Sequence, residues 1–138
     1  MDPNEIDARP RRKVIIVEPF YGGSHKQLID WLMDALPRQG NPDDPVDVNL
    51  FSLPAKKWHW RARCSALKLA EMVDTVSDAS IILFCSSVLN LSEFLSLRTD
   101  LAKKASKTVV YFHENQLVYP VQADSKVYFC ALDYFSSN

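Results

Sequence analysis

Four short apolar, β-rich runs fix the architecture open to this chain: 14–17, 48–53, 80–85 and 108–112. The stretches between them are far too long for hairpins, and each carries helical periodicity. Leu28, Trp31, Leu32, Ala35 and Leu36 make one apolar helical face, and Pro37 is the expected stop. Ala66, Leu69, Ala70, Val73 and Val76 keep the same spacing and predict a second helix over 62–76. Asn90, with Glu93 three residues on, caps a third helix that turns Leu91, Phe94 and Leu95 inward. Strands alternating with helices require crossover connections and a parallel sheet covered on both faces. The predicted class is α/β, a Rossmann-like parallel sheet flanked by helices.

The 138 residues suffice for one domain with a substantial core. Residues 1–12, polar and carrying Pro3 and Pro10, are expected to be a disordered leader, and 38–47 a loop. A net charge of −1 supplies no global attraction to nucleic acid or acidic lipid, so any basic surface must be local. Three dispersed cysteines without a CxxC pair argue for reduced thiols rather than disulfides or zinc. No apolar run approaches the roughly 18 residues of a membrane span. The acidic amino terminus lacks the apolar segment of a secretory signal.

Ligands of open parallel sheets bind beyond the carboxyl ends of the strands. Three unusual segments converge there. Gly22 and Gly23 follow the first strand, where missing Cβ atoms let an anion approach bare N–H groups. Ser24 and Gln27 have capping-box spacing, so the helix is expected to open at Ser24. The glycines equally suit a plain tight turn, and neither a GxGxxG nor a P-loop pattern is present. After the second strand, Lys56, Lys57, Arg61 and Arg63 surround Trp58, His59 and Trp60, predicted as a loop. Cations for phosphates and indoles for splayed bases suit single-stranded RNA; tryptophans packed inward among solvated cations are the structural alternative. After the fourth strand, His113 with Glu114 and Asn115 makes a polar cluster. Such a histidine serves a sugar hydroxyl, a proton transfer, or simply a structural hydrogen bond. Glu18, ending the first strand, is a base or a partner for a nearby cation or N–H. His25, His59 and His113 lack metal-ligand spacing, and no metal site is expected.

Four stretches carry a family resemblance: Glu18-Pro-Phe-Tyr-Gly-Gly-Ser-His-Lys-Gln-Leu28, Leu53-Pro-Ala-Lys-Lys-Trp-His-Trp-Arg-Ala-Arg63, Ser86-Ser-Val-Leu-Asn-Leu91 and Tyr111-Phe-His-Glu-Asn-Gln-Leu-Val-Tyr-Pro120. Together, over Lys13 to Val121, the chain resembles the tRNA-queuosine α-mannosyltransferases, a glycosyltransferase family (family 4-like) also called glycosyltransferase-like domain-containing protein one. The resemblance implies the amino-terminal, acceptor-side half of a GT-B enzyme. Such an enzyme transfers mannose from GDP-mannose, with retention, to queuosine at the wobble position of aspartate tRNA. It implies no cofactor beyond the nucleotide-sugar, partners limited to that tRNA and the donor, no DNA or membrane, and a cytoplasmic or also nuclear location. By position, Gly22 and Gly23, with Ser24, match the loop near the donor diphosphate and acceptor. His113 matches a catalytic histidine near the donor sugar, with Glu114 and Asn115 beside it. Residues 122–138 depart from the family pattern and are expected to be a poorly ordered tail. The carboxyl-terminal donor domain is expected to be missing, and the chain alone is expected to be inactive or nearly so. The alternative from another class is a non-catalytic RNA- or nucleotide-binding module.

Overall fold

A computed structural model of the chain describes residues 12–41, 45–76 and 80–112. Along the chain run β1 (Arg12–Tyr21), α1 (Gly23–Gln39), β2 (Val46–Pro54), α2 (Trp58–Met72), β3 (Ile81–Ser86), α3 (Leu91–Leu97), α4 (Thr99–Lys104) and β4 (Ala105–Tyr111). The sheet order is β2-β1-β3-β4, with every neighbouring pair parallel. This is the expected Rossmann-like arrangement. Residues 1–11 of the expected leader and the 113–138 segment, with Cys130, lie outside the described residues, while Arg12, expected to be the leader's last residue, opens β1.

Side chains of β1 alternate between two apolar layers. Ile15 and Val17 join Leu69, Phe94 and Leu101 beneath α2, α3 and α4. Val14 and Ile16 join Ile29 beneath α1. Because both faces are covered, the interior of β1 reads as an unbroken apolar run rather than an alternating one.

Several expectations need correction. Pro37 does not stop α1, which runs on to Gln39. A proline in the last turn forfeits one backbone bond where the helix is about to end anyway. Trp31 is 61% exposed, and the buried stripe passes instead through His25 and Ile29. Ser24 is not the helix cap: Gly22 holds that position in an extended conformation, without a side-chain cap. The chain already turns at Gly23, whose φ is +53°, so the helix opens before Ser24 can cap it.

The basic aromatic segment is largely helical, because α2 begins at Trp58. It ends at Met72 rather than at 76. Arg98 collects the carbonyls there, donating to Ala70 O (3.2 Å), Val73 O and Asp74 O (2.9 Å). Its guanidinium also grips Asp100 with two bonds, of 2.9 and 2.7 Å. Asn90 caps α3 as expected, its Oδ1 accepting from Glu93 N–H at 3.2 Å. The short helix α4 was not expected.

Candidate functional site

The chain leaves β1 toward β2 on one side, then returns to place β3 on the other. Connections from β1 and β3 therefore diverge, opening a crevice beyond their carboxyl ends. Glu18 and Ser86 stand at those two ends, each only 1% exposed.

A register irregularity shapes this corner. Glu18 pairs with Ser52 and Tyr21 with Pro54, so β1 carries one residue more than β2 over that interval. Pro19 has no N–H to give the ladder. The next N–H, of Phe20, goes to Glu18 Oε1 at 2.8 Å. Ser86 Oγ donates to the same oxygen at 3.1 Å, and His25 Nδ1 lies 3.4 Å from Oε2. Glu18 thus accepts from an N–H near the end of its own strand rather than from a loop, with a histidine and a serine added.

Burial pushes the Cys85 thiol, on β3, up to about 12, and the charge of Glu18 adds to the effect. Cys64 and Cys85 are both free.

The two glycines act for different reasons. Gly22 is extended, at φ −173°, a conformation open to any residue. A Cβ on it, however, would lie 2.3 Å from the Cβ of Ala55. Gly23 has open space around it but a left-handed backbone. The first pins the β1–α1 turn against the β2–α2 connection; the second turns the chain into α1. No acidic side chain occupies the first turn of α1. Beside it, Lys26 and Tyr21 both bond Asp30, whose carboxyl is held low by Lys26 first and then Tyr21.

A second contact braces the same corner, between the end of β1 and the start of α2. Trp58 packs edge-on against Phe20, with centroids 5.0 Å apart and planes at 85°. Phe20 in turn meets the His25 ring at 6.2 Å. The basic segment is thereby divided. Trp58, though 40% exposed, leans on Phe20, and Arg61 donates to Pro54 O at 3.1 Å. Trp60 is 65% exposed, with Lys56, Lys57, His59 and Arg63 also exposed around it. Lys57 adopts a left-handed conformation, φ +52°, to start α2.

The structure thus brings Gly22, Gly23, Ser24 and the 56–63 segment to one end of the sheet. His113, Glu114 and Asn115 lie outside the described residues. Among the described residues no group of three or more His, Cys, Asp or Glu side chains is placed to hold a metal. A cavity of about 130 Å³, lined by Lys13, Asp47, Asn49 and Asp74 among others, opens at the opposite, amino-terminal ends of β1 and β2.

Sequence reasoning missed His25 and Ser86 as members of one cluster. Strand parity holds the signal: Glu18 follows Val14 and Ile16 on the α1 face, and His25 lies four residues before the buried Ile29.

Comparison with known proteins decides the family. The family model described as tRNA-queuosine alpha-mannosyltransferase N-terminal matches residues 13–136. The chain belongs to this family. A Drosophila melanogaster protein named tRNA-queuosine alpha-mannosyltransferase is 54% identical over 109 residues. That alignment covers 79% of this chain and 26% of the fly protein, so the chain spans about a quarter of its relative's length. No solved structure matches the chain. The tRNA-queuosine mannosyltransferase match runs to residue 136, beyond the 13–121 span of the four motifs, and takes in His113, Glu114 and Asn115. Within the described part, no helix is long and apolar enough to cross a membrane.

Proposed function

We propose that this chain is the acceptor-side domain of a GT-B mannosyltransferase that moves mannose from GDP-mannose to queuosine at the wobble position of aspartate tRNA, with retention. The supporting observation is the clamp at the switch-point end of the sheet, with Gly22 on Ala55 between the two connections and Phe20 at the end of β1 on Trp58 at the start of α2. It joins a turn suited to diphosphate to a surface suited to RNA.

In this reading the N–H groups at Gly22 and Gly23, at the amino end of α1, stabilise charge on the departing diphosphate. His113, flanked by Glu114 and Asn115, positions the mannose. Trp60 stacks on an anticodon-loop base while Lys56, Lys57 and Arg63 take phosphates. Arg61, committed to Pro54 O, holds the connection in shape instead. The bond from the anomeric carbon to the donor phosphate breaks as the bond to the acceptor oxygen forms, and the acceptor proton leaves with GDP. The reaction requires no cofactor beyond the donor.

The test uses queuosine-containing aspartate tRNA and GDP-mannose. Residues 1–138 alone are expected to bind the tRNA in a salt-dependent way, with little or no sugar transfer, since the partner half of a GT-B cleft supplies most donor binding. Absence of tRNA binding removes the acceptor-side reading; robust transfer by the chain alone removes the division of labour.

A second reading, an RNA-binding module without transferase activity, rests on α2 alone. Its exposed tryptophan and cations need no donor sugar. It requires that no added donor domain confers transfer on the bound tRNA.

A further inference from the structure

Among the described residues, Glu18 is the only buried carboxylate. Three donors converge on it: Phe20 N–H from the last residues of β1 itself, Ser86 Oγ from the end of β3, and His25 Nδ1 from the first turn of α1. A carboxylate ion only accepts hydrogen bonds. For the contact with His25 to be attractive, the imidazole must carry a proton on Nδ1, which directs Nε2 away from the carboxylate. Ser86 must likewise point its hydroxyl proton at Glu18. One anion therefore sets two side-chain proton positions and ties together the pieces of backbone that frame the crevice.

A carboxylate is a poor choice for electrostatics beside a turn that receives phosphate, because like charges repel. Its presence there calls for a geometric reason. We propose that Glu18 is a positioning residue of the transfer site, acting through His25 and Ser86. It latches the Gly22–Gly23 turn to the end of β3 and keeps the His25 proton on Nδ1. This inference rests on the diphosphate-binding reading of the turn given above.

Glutamine at position 18 keeps the shape and removes the charge. Its amide oxygen can accept from Phe20 N–H, which leaves the NH2 group facing His25 and forces the imidazole proton to Nε2. Two measurements on the isotopically labelled 138-residue chain test the proposal. The first is the nitrogen-15 shift pair of the His25 ring. The native chain is expected to show a proton on Nδ1 and Glu18→Gln a bare Nδ1; a bare Nδ1 in the native chain overturns the proposal.

The second is a GDP titration followed at the backbone amides of Gly23 to Lys26. Glu18→Gln is expected to raise Kd about tenfold, the scale of a displacement of less than 1 Å in a positioning element. Ser86→Ala, which removes one latch and leaves the charge, moves Kd in the same direction. An unchanged or lower Kd in Glu18→Gln overturns the latch while leaving the diphosphate reading intact. Because the partner half supplies most donor binding, GDP is titrated into the millimolar range, and a native chain whose turn amides ignore it there overturns both. Should Glu18→Gln lose its native amide dispersion, Ser86→Ala carries the decision, and unchanged GDP affinity there refutes the latch.

Discussion

Replacing Gly22 with alanine isolates the clamp at the site from every other effect. At φ −173° the backbone accepts an alanine without strain, so the whole cost is steric. The added Cβ meets Ala55 Cβ at 2.3 Å, where carbon atoms in contact prefer about 3.5–4.0 Å. The two connections must separate by more than ~1 Å, against the Phe20–Trp58 contact and the β1–β2 pairing. Overpacking of this kind costs about 1–3 kcal/mol. The assay is urea unfolding followed by tryptophan fluorescence, with m-values compared to establish that only stability changed. Ala55→Gly removes the opposing carbon, so the double variant is expected to recover most of the loss, a coupling of about 1–2 kcal/mol. Gly23→Ala meets nothing but must adopt a left-handed backbone, at a cost of roughly 1–2 kcal/mol that Ala55→Gly cannot restore. If Gly22→Ala is neutral, or Ala55→Gly rescues both glycine variants alike, the steric reasoning is wrong.

Three further outcomes rest on side-chain exposure and pairing. Trp60→Ala should weaken tRNA binding by about 1–3 kcal/mol without changing the urea midpoint, whereas Trp58→Ala should lower the midpoint through its lost contact with Phe20; equal effects on binding and stability would refute the division of the segment. Joint replacement of Lys56, Lys57 and Arg63 by alanine should flatten the slope of log affinity against log salt by about 2–3, and an unchanged slope places the RNA elsewhere. Asp100, gripped by Arg98, has its carboxyl lowered to about 2. A depressed folded-state value means the stability is present above the ordinary carboxylate range and is lost as pH falls from about 4 toward 2. Asp100→Asn should therefore flatten the acid limb of stability, read as urea midpoints between pH 5 and pH 2; an unchanged limb refutes the pairing.

The fold was legible because its determinants are local and periodic. A both-faces-buried strand such as Val14–Val17 and the Asn90–Glu93 cap announce themselves within a few residues. The errors fall where a distant group outweighs the local pattern. α2 stops at Met72 because Arg98, more than twenty residues on, takes the carbonyls that further helical turns would use. α4, at six residues, is too short for any periodicity to register. Trp31 fits the apolar stripe by spacing yet faces solvent, because the inward line is set by His25 and Ile29 meeting β1.

The meeting of the glycine turn and the basic segment was legible, and the contacts that join them were not. Topology alone takes the glycine turn and the basic segment to the same end of the sheet, since both follow strands of one parallel sheet. What joins them is invisible locally: the Gly22–Ala55 approach spans 33 positions, and the Glu18–Ser86 bond spans 68. A double glycine suggests positive φ twice, but only Gly23 uses it; Gly22 is a glycine because of a neighbour's methyl group. The distinction bears on function. A glycine retained for φ tolerates any motion of its surroundings, whereas one retained for contact fails as soon as Ala55 moves. If RNA binds the basic face of α2 as proposed, Ala55 and Trp58 are the contacts through which it would press on the turn proposed to meet the diphosphate. Acceptor and donor sensing would then share one rigid corner, latched from below by Glu18. That arrangement predicts that tRNA binding alone shifts the amides of Gly23 and Ser24. Loss of the shift in Trp58→Ala, with binding through Trp60 retained, would locate the coupling in the Phe20–Trp58 contact; an equal shift in both proteins would exclude it.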